Sequence, residues 1–121
     1  MADNPDHKKL LEIAKTAAED QATADQYQGA LETLYEVKRD DHAVASELPK
    51  CRAFRRQLYE LRQALAPLVT ALENSDPVPA DFNLSKVQRL IPEWETARAA
   101  FHQGYRQHKL YLEKLALRFV R

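Results

Sequence analysis

The most constraining feature of this chain is a run of apolar residues that recurs every three or four positions after residue 50. The run comprises Cys51, Phe54, Leu58, Leu61, Leu65, Leu68 and Leu72. Alternating steps of three and four keep apolar side chains on one narrow side of an α-helix. Such a seam is stable in water only when a neighbouring helix covers it. The pattern therefore predicts long helices that pack lengthwise.

A second apolar run of the same kind occupies the last third of the chain. It comprises Val87, Ile91, Trp94, Phe101, Tyr105, Leu112, Leu115 and Phe119, with His108 in the same register. Only two glycines occur among the 121 residues, which disfavours a fold made of many tight turns. We therefore expect an all-α protein, an antiparallel bundle of three to four helices with a long C-terminal helix and coiled-coil-like seams.

Helix start and stop signals predict four helices within a single domain covering residues 1–121. Their expected ranges are about 6–21, 23–40, 47–73 and 85–120, with a proline-containing loop over 74–84. A fourth helix longer than the others leaves seam residues exposed unless another chain covers them. This difference in length is the main sequence argument for an oligomer or an obligate protein partner.

The helix boundaries depend on residues that suit N-terminal caps. A capping box beginning at Thr23 favours a new helix there, although one continuous helix from 6 to about 40 remains possible because the stretch around Thr23 lacks Gly and Pro. Ser46 is the expected N-cap of the third helix, and Ser85 that of the fourth. Pro92 is expected to kink the last helix or divide it.

The distribution of charge divides the chain into two halves. Residues 1–48 carry eleven Asp and Glu against five Lys and Arg, whereas residues 49–121 carry seven against thirteen, so the halves have net charges of −6 and +6. We expect the acidic N-terminal helices to pair with the basic C-terminal ones, within one chain or between subunits. Arg98, which interrupts the second apolar run, is expected either to extend outward into water or to contact an acid such as Glu32 or Glu36. The other interpretation is that the basic half faces an anionic partner.

The composition predicts a cytoplasmic protein that does not enter a membrane. No apolar stretch approaches the roughly 20 residues needed to cross a bilayer. The first six residues are polar and acidic, unlike a secretory signal peptide. A single cysteine forms no internal disulfide, which is typical of a reducing compartment.

Motifs for catalysis are missing from the sequence. It has no glycine-rich phosphate loop, no G-x-S-x-G elbow and no H-E-x-x-H pair. The residues three positions before His42, His102 and His108 are not carboxylates, which excludes the Glu-x-x-His arrangement of di-iron bundles. One cysteine and four scattered histidines do not make a structural zinc site. We therefore expect no catalytic residues, metal or cofactor, and Cys51 reads as a core residue.

These observations favour a non-enzymatic protein–protein interaction module, such as an adaptor, an assembly subunit or a chaperone. It is expected to bind a protein partner along an exposed helical seam, or to form a homo-oligomer. Aromatic side chains dominate many interfaces, so aromatic and seam residues after residue 50 are the candidate contacts. They are Tyr59, Trp94, Tyr105, Tyr111, Leu112, Leu115 and Phe119.

The alternative hypothesis is a small helical subunit of a nucleoprotein complex. Basic residues lie at helical spacing on the third and fourth predicted helices, where they suit contacts to a nucleic-acid backbone. The candidate phosphate contacts are Arg52, Arg55, Arg56, Arg98, Arg106 and Lys109.

Overall fold

The computed structural model describes residues 5–119, with side chains from residue 7 to residue 118. Three helices account for the regular structure of this range: α1 (Pro5–Val37), α2 (His42–Glu73) and α3 (Leu84–Phe119). The prediction of an all-helical fold is therefore confirmed, since no strand occurs between residues 5 and 119.

Helix α1 is a single helix of 33 residues, so the expected break between residues 21 and 23 is wrong. Its buried positions continue in register across that point, with Ala17, Asp20 and Ala24 all buried. The Thr23 hydroxyl donates to the Glu19 carbonyl at 3.3 Å, the back-bond of a helix interior rather than a cap. The three helices are thus of similar length, 33, 32 and 36 residues, and α3 does not outreach its neighbours in the way that was expected.

Helix α2 begins five residues before its expected start. Asp41 is its N-cap, because the Asp41 Oδ1 atom accepts a hydrogen bond from the Val44 amide at 3.0 Å. Ser46, the expected cap, lies inside the helix. The longer N-terminal part of α2 places Glu47 and Leu48 in the buried interior.

The connection between α2 and α3 contains the caps of both helices. The Asp76 amide donates to the Ala71 carbonyl at 2.7 Å, and Ser75 has a φ of 57°, which together form a Schellman motif at the end of α2. Asn83 caps α3, because its Oδ1 atom accepts from the Lys86 amide at 2.9 Å. The expected cap at Ser85 is therefore wrong. Helix α3 also runs through Pro92 without being divided.

Helix α2 lies antiparallel to both other helices and packs against each of them. Contacts such as Arg55 with Asp25 join it to α1, and the stacking of Phe54 on Phe101 joins it to α3. Its buried side chains are the members of the predicted seam up to Leu68, together with Val44, Glu47, Leu48 and Ala71. Helices α1 and α3 are parallel and contact each other much less than either contacts α2. The core thus follows α2.

We predict that the seam of α2 carries a large share of the stability. Leu61 is fully buried, whereas its neighbour Glu60 is exposed. Leu61→Ala should lower the free energy of unfolding by about 2–5 kcal/mol, because it leaves a cavity in the core. Glu60→Ala, the matched control, should change it by less than about 0.5 kcal/mol. Urea denaturation followed by circular dichroism measures both, and equal losses would contradict the assigned register of α2.

Candidate protein-binding groove

The sparse contact between α1 and α3 leaves a groove between these two helices, which we call the α1–α3 groove. It contains two recesses, one at each end. The upper recess, of about 210 Å³, has mainly apolar walls formed by the C-terminal halves of α1 and α3. Its lining residues are Gln26, Tyr27, Ala30, Leu31, Leu34, Tyr105, Lys109, Leu112, Glu113 and Ala116. Apolar walls with a few polar residues at the edge suit the side chains of a partner.

The lower recess lies between the N-terminal parts of α1 and α3 and has a volume of about 370 Å³. Its lining residues are Lys9, Leu10, Ile13, Leu84, Gln88, Ile91, Trp94 and Glu95. The Trp94 ring is buried, and its indole Nε1 atom has no hydrogen-bond partner among the described residues. Leu84 is exposed at the edge of this recess.

A polar cluster separates the two recesses. Asp20 of α1 is only 3% exposed, and both of its carboxylate oxygens contact α3. The Arg98 Nε atom lies 2.6 Å from Oδ2, and the His102 Nε2 atom lies 3.0 Å from Oδ1. Arg98 was expected to contact Glu32 or Glu36, but Glu32 faces α2 instead, where it pairs with Arg52. The acid that contacts Arg98 does come from the N-terminal half of the chain, but it is Asp20.

A second buried carboxylate, Glu47 of α2, joins all three helices. The Tyr27 hydroxyl of α1 donates to Glu47 Oε1 at 3.2 Å, and the His108 Nε2 atom of α3 lies 3.9 Å from Oε2. Lys50 Nζ approaches the same oxygen at 3.5 Å from the solvent side. Burial, followed by the nearby Glu47 charge and its hydrogen bond, raises the pKa of the Tyr27 phenol well above its usual range. Tyr27 is therefore a hydrogen-bond donor at neutral pH.

Gly104 provides the space that the Glu47 carboxylate occupies. A Cβ atom at position 104 would overlap Glu47 Oε1 and would lie 3.1 Å from its Cδ atom. The other glycine, Gly29, has open space around it. The helix thus accepts a residue of low helix propensity at position 104 because the acid of α2 packs against its backbone.

An aromatic cluster lies between the two buried carboxylates. Phe101 of α3 stacks on Phe54 of α2 with ring centroids 4.6 Å apart. The Tyr27 ring meets Phe101 and Tyr105 edge-on, at 5.9 and 5.0 Å. These geometries are the ones that aromatic pairs prefer. The cluster fixes the floor of the upper recess, since Tyr27 and Tyr105 also line it.

Exposed apolar side chains concentrate beside the upper recess. Five of the seven large hydrophobic residues that are exposed lie in the last turns of α1 or the second half of α3. They are Tyr35, Val37, Leu110, Tyr111 and Leu117. Scattered single exposures are ordinary, whereas these five side chains all lie in the C-terminal parts of the two parallel helices.

The structure divides the predicted interface residues into three groups. Tyr59, Tyr105 and Tyr111 are at least partly accessible. Trp94, Leu112 and Leu115 are buried within the chain, because α1 and α2 cover their seam, and so they are not part of its exposed surface. Two of them also form walls of the groove: Leu112 lines the upper recess and Trp94 lines the lower recess. The side chain of Phe119 lies outside the described residues.

Tyr111 does not present a free hydroxyl group. Its hydroxyl donates to the Asp41 carboxylate at the cap of α2. Burial alone raises the pKa of the Asp41 carboxyl, but the bonds from Tyr111 and from the Val44 amide outweigh it and lower that pKa overall. The same bond raises the pKa of the Tyr111 phenol. Tyr111 thus ties the C-terminal half of α3 to the start of α2.

The predicted phosphate-contacting residues are largely used within the chain. Arg52 pairs with Glu32 at 3.7 Å, Arg55 with Asp25 at 2.6 Å, and Arg98 with Asp20. Lys109 lies over the Tyr105 ring at 5.3 Å. The remaining two candidates, Arg56 and Arg106, are exposed and make no ion pair with a described residue. Three of the six candidates therefore confirm pairing of acidic α1 with basic α2 and α3.

The most nucleophilic side chain of the chain, the Cys51 thiol, is buried rather than open to a substrate. Burial raises the pKa of the Cys51 thiol to about 11, although Arg55 nearby lowers it. The Cys51 Sγ atom contacts the Ala24 carbonyl at 3.4 Å, so the thiol is a protonated core group. Between residues 5 and 119, no three His, Cys, Asp or Glu side chains are placed to hold a metal ion. None of the described helices has both the length and the apolar character that spanning a membrane requires.

Asp20, Glu47 and Gly104 are the structural residues that the sequence patterns did not identify. Asp20 follows Ala17 by three positions and precedes Ala24 by four, which is the spacing of a seam. That spacing was a signal for its burial. Gly104 is one of only two glycines, and its position inside a long helix signals a close approach.

Comparison with known proteins finds no matching family model, no matching curated protein and no matching solved structure. The functional argument therefore depends on the geometry of this chain.

We predict opposite effects for the same substitution at the two glycines. Gly29→Ala should raise the free energy of unfolding by about 0.5–1 kcal/mol, since alanine favours the helix and meets no obstacle. Gly104→Ala should lower it by about 1–3 kcal/mol, because the new methyl group displaces the Glu47 carboxylate. In a Glu47→Ala background the penalty at position 104 should largely disappear. Equal gains at both positions in thermal denaturation would contradict the placement of Glu47.

We also predict an asymmetric response at the polar cluster that divides the groove. Arg98→Ala leaves the buried Asp20 carboxylate with only His102 and should cost about 2–4 kcal/mol. Asp20→Ala should cost about half as much, because the Arg98 side chain is 40% exposed and reaches water. Chemical denaturation at neutral pH measures both values. A larger loss for Asp20→Ala would argue against burial of this carboxylate.

Proposed function

We propose that this chain is a non-enzymatic protein–protein interaction module, acting as an adaptor, assembly subunit or chaperone, which binds an apolar helical segment of another protein in the α1–α3 groove. The observation that supports the proposal most is the open groove itself. Two parallel helices of a three-helix arrangement contact each other sparsely, and the space between them has apolar recesses at both ends.

The dimensions of the groove favour a helix as its occupant. The α3 residues that line the upper recess centre near residue 111 and those that line the lower recess near residue 90, which at 1.5 Å per residue is a separation of about 31 Å. A partner helix of about 21 residues spans this distance. It would place an apolar side chain in each recess, in the manner of amphipathic helices that bind hydrophobic grooves.

The centre of the groove supports a polar contribution to specificity. Arg98 and His102 lie there, and Arg98 is partly exposed while its Nε atom binds Asp20. A partner with an acidic or amide side chain midway between its apolar anchors would pair with the remaining nitrogens of the guanidinium group. A partner with an apolar residue at this point would bury these nitrogens without a hydrogen-bond acceptor. The lost hydrogen bonds with water would weaken its binding and so select against that sequence.

Nucleic-acid binding has less support. Arg52, Arg55 and Arg98 already pair with acids of α1, and the whole chain has a net charge of zero. Catalysis has less support as well, since Cys51 and Glu47 are buried.

The experiment that tests the proposal uses photocrosslinking in the cell from which the chain comes. A photoreactive residue at position 30, which is exposed and lines the upper recess, should crosslink to a discrete protein. The same residue at position 53, which is exposed on α2 outside both recesses, is the matched control. With the partner identified, Ala30→Glu should weaken binding by at least about tenfold, and Ala53→Glu should leave it unchanged. Equal crosslinking from both positions, or binding unaffected by Ala30→Glu, would overturn the proposal.

A further inference from the structure

The two walls of the α1–α3 groove differ in charge along most of its length. Between residues 16 and 37, α1 contains five acidic residues and no Lys or Arg. Between residues 96 and 112, α3 contains three Lys and Arg residues and no acid. The ion pair of Asp20 with Arg98 places these two segments side by side. A molecule in the groove therefore meets a basic wall on one side and a wall without Lys or Arg on the other.

Part of the positive charge of the α3 wall is not neutralised within the chain. Arg98 is paired, because its Nε atom binds the Asp20 carboxylate. Arg106 and Lys109 are exposed and make no ion pair with a described residue. The Lys109 Nζ atom lies over the Tyr105 ring at 5.3 Å, a contact that orients the ammonium group but supplies no negative charge. Two cations of this wall are thus available to an anionic group of a partner.

Arg106 and Lys109 lie on the groove side of α3. Lys109 and Glu113 both line the upper recess, and His102 contacts Asp20 of α1. Arg106 follows His102 by four residues and precedes Glu113 by seven, which is the spacing of one helix face. The two available cations are therefore neighbours at the α3 edge of the upper recess.

Acidic residues limit the basic stretch at both ends. Glu95 lines the lower recess and Glu113 lines the upper one. From Arg98 to Lys109 the basic stretch is eleven residues long, or about 17 Å along α3. At the lower recess the charges are exchanged between the walls, since Lys9 of α1 lies opposite Glu95 of α3. Positive charge on α3 is thus confined to about three helical turns.

The short basic stretch fits a helix with carboxylates better than a nucleic-acid backbone. A nucleic acid carries phosphates continuously along its length, so it would bring some of them against Glu95 or Glu113. Its phosphates would also lie beside the apolar wall of the upper recess, which includes Leu112. An amphipathic helix fills the recess with its apolar face and places carboxylates of one flank against Arg106 and Lys109.

The difference between the walls also distinguishes the two directions in which a helix can lie in the groove. Turning a helix end for end, with its apolar face kept in the groove, exchanges its two flanks. Its carboxylates would then face α1 and meet Glu19, which is exposed and shares the helix face of Gln26 and Ala30. Like charges in this position disfavour the reversed helix.

We propose that the partner of the α1–α3 groove is an amphipathic helix with Asp or Glu residues along the flank that faces α3, level with residues 98–109. This inference rests on the proposed function and adds the chemistry of the partner to it. Arg106 and Lys109 bind the carboxylates at the edge of the upper recess. They select an acidic helix from others with the same apolar pattern, and they fix its direction in the groove.

The test is a selection of helical peptides from a phage library by the folded chain. Each peptide has about 21 residues, with leucine fixed along one helical face and random residues elsewhere. Peptides that also bind the Ala30→Glu variant, whose upper recess is blocked, are removed. In the remaining peptides, Asp and Glu should be at least about threefold more frequent on one flank of the leucine face than in the input library. The other flank should show no such enrichment.

Charge reversal tests whether the two cations bind the acidic flank. Arg106→Glu and Lys109→Glu should each weaken binding of a selected peptide by about fivefold in fluorescence anisotropy, because attraction becomes repulsion. Lys114→Glu, at an exposed residue of α3 that lines neither recess, is the matched control and should change binding by less than about twofold. A peptide whose acidic flank is changed to Lys should bind the double variant at least about fivefold more tightly than the original chain. Circular dichroism shows whether each variant is folded.

The outcomes separate this inference from the proposed function. Selected peptides without an acidic flank, or binding that neither Arg106→Glu nor Lys109→Glu weakens, would overturn the inference and leave the proposed function intact. Failure to find any peptide that distinguishes the chain from its Ala30→Glu variant would contradict both. Binding of a single-stranded oligonucleotide that Arg106→Glu abolishes, without acidic enrichment among the peptides, would show that the cations bind a polyanion instead.

Discussion

The need to cover the apolar seam of α2 determines the rest of this structure. The seam is buried from Val44 to Ala71, and its width requires a helix on each side. Helices α1 and α3 cover the seam by packing against α2 from its two sides. They contact each other much less than either contacts α2. The open groove between α1 and α3 is therefore a consequence of how the core is covered. In three helices of nearly equal length, most of the large apolar side chains that stay exposed lie on α1 and α3, whereas Tyr59 lies on α2.

The buried carboxylates decide how the helices are aligned. Hydrophobic contacts tolerate sliding by a turn, whereas Asp20 is satisfied only when Arg98 and His102 lie opposite it. Glu47 adds a second fixed point, with Tyr27 on one side and Gly104 on the other. Buried ionic groups contribute little net stability compared with apolar packing, but they penalise wrong alignments strongly. We infer that these two clusters select one register from several that the seams alone would allow.

Much of the fold was predictable from the sequence, because leucine spacing reports burial directly. The helical class and the seam of α2 follow from it, and the prolines at 77 and 79 predict the loop before α3. The continuity of α1 was not predicted. The sequence around Thr23 suits an N-cap, but the Thr23 hydroxyl instead donates to the Glu19 carbonyl of the same helix. The candidate site was predictable only in region: the C-terminal half of α3 does line a recess. However, Leu112 is part of the wall of that recess and Trp94 is part of the wall of the lower one. The pattern that marks a seam does not distinguish coverage by the same chain from coverage by a partner.

The accessibility of single thiols tests most directly the claim that the α2 seam is covered while the α1–α3 groove is open. Cys51 is the only native cysteine, and it lies in the buried seam. The labelling rate of Cys51 by a thiol reagent should be negligible under native conditions, whereas Ala30→Cys should add one group that labels as fast as an exposed Ala53→Cys reference. Rapid native labelling of Cys51, or protection of position 30 in the monomer, would contradict this account.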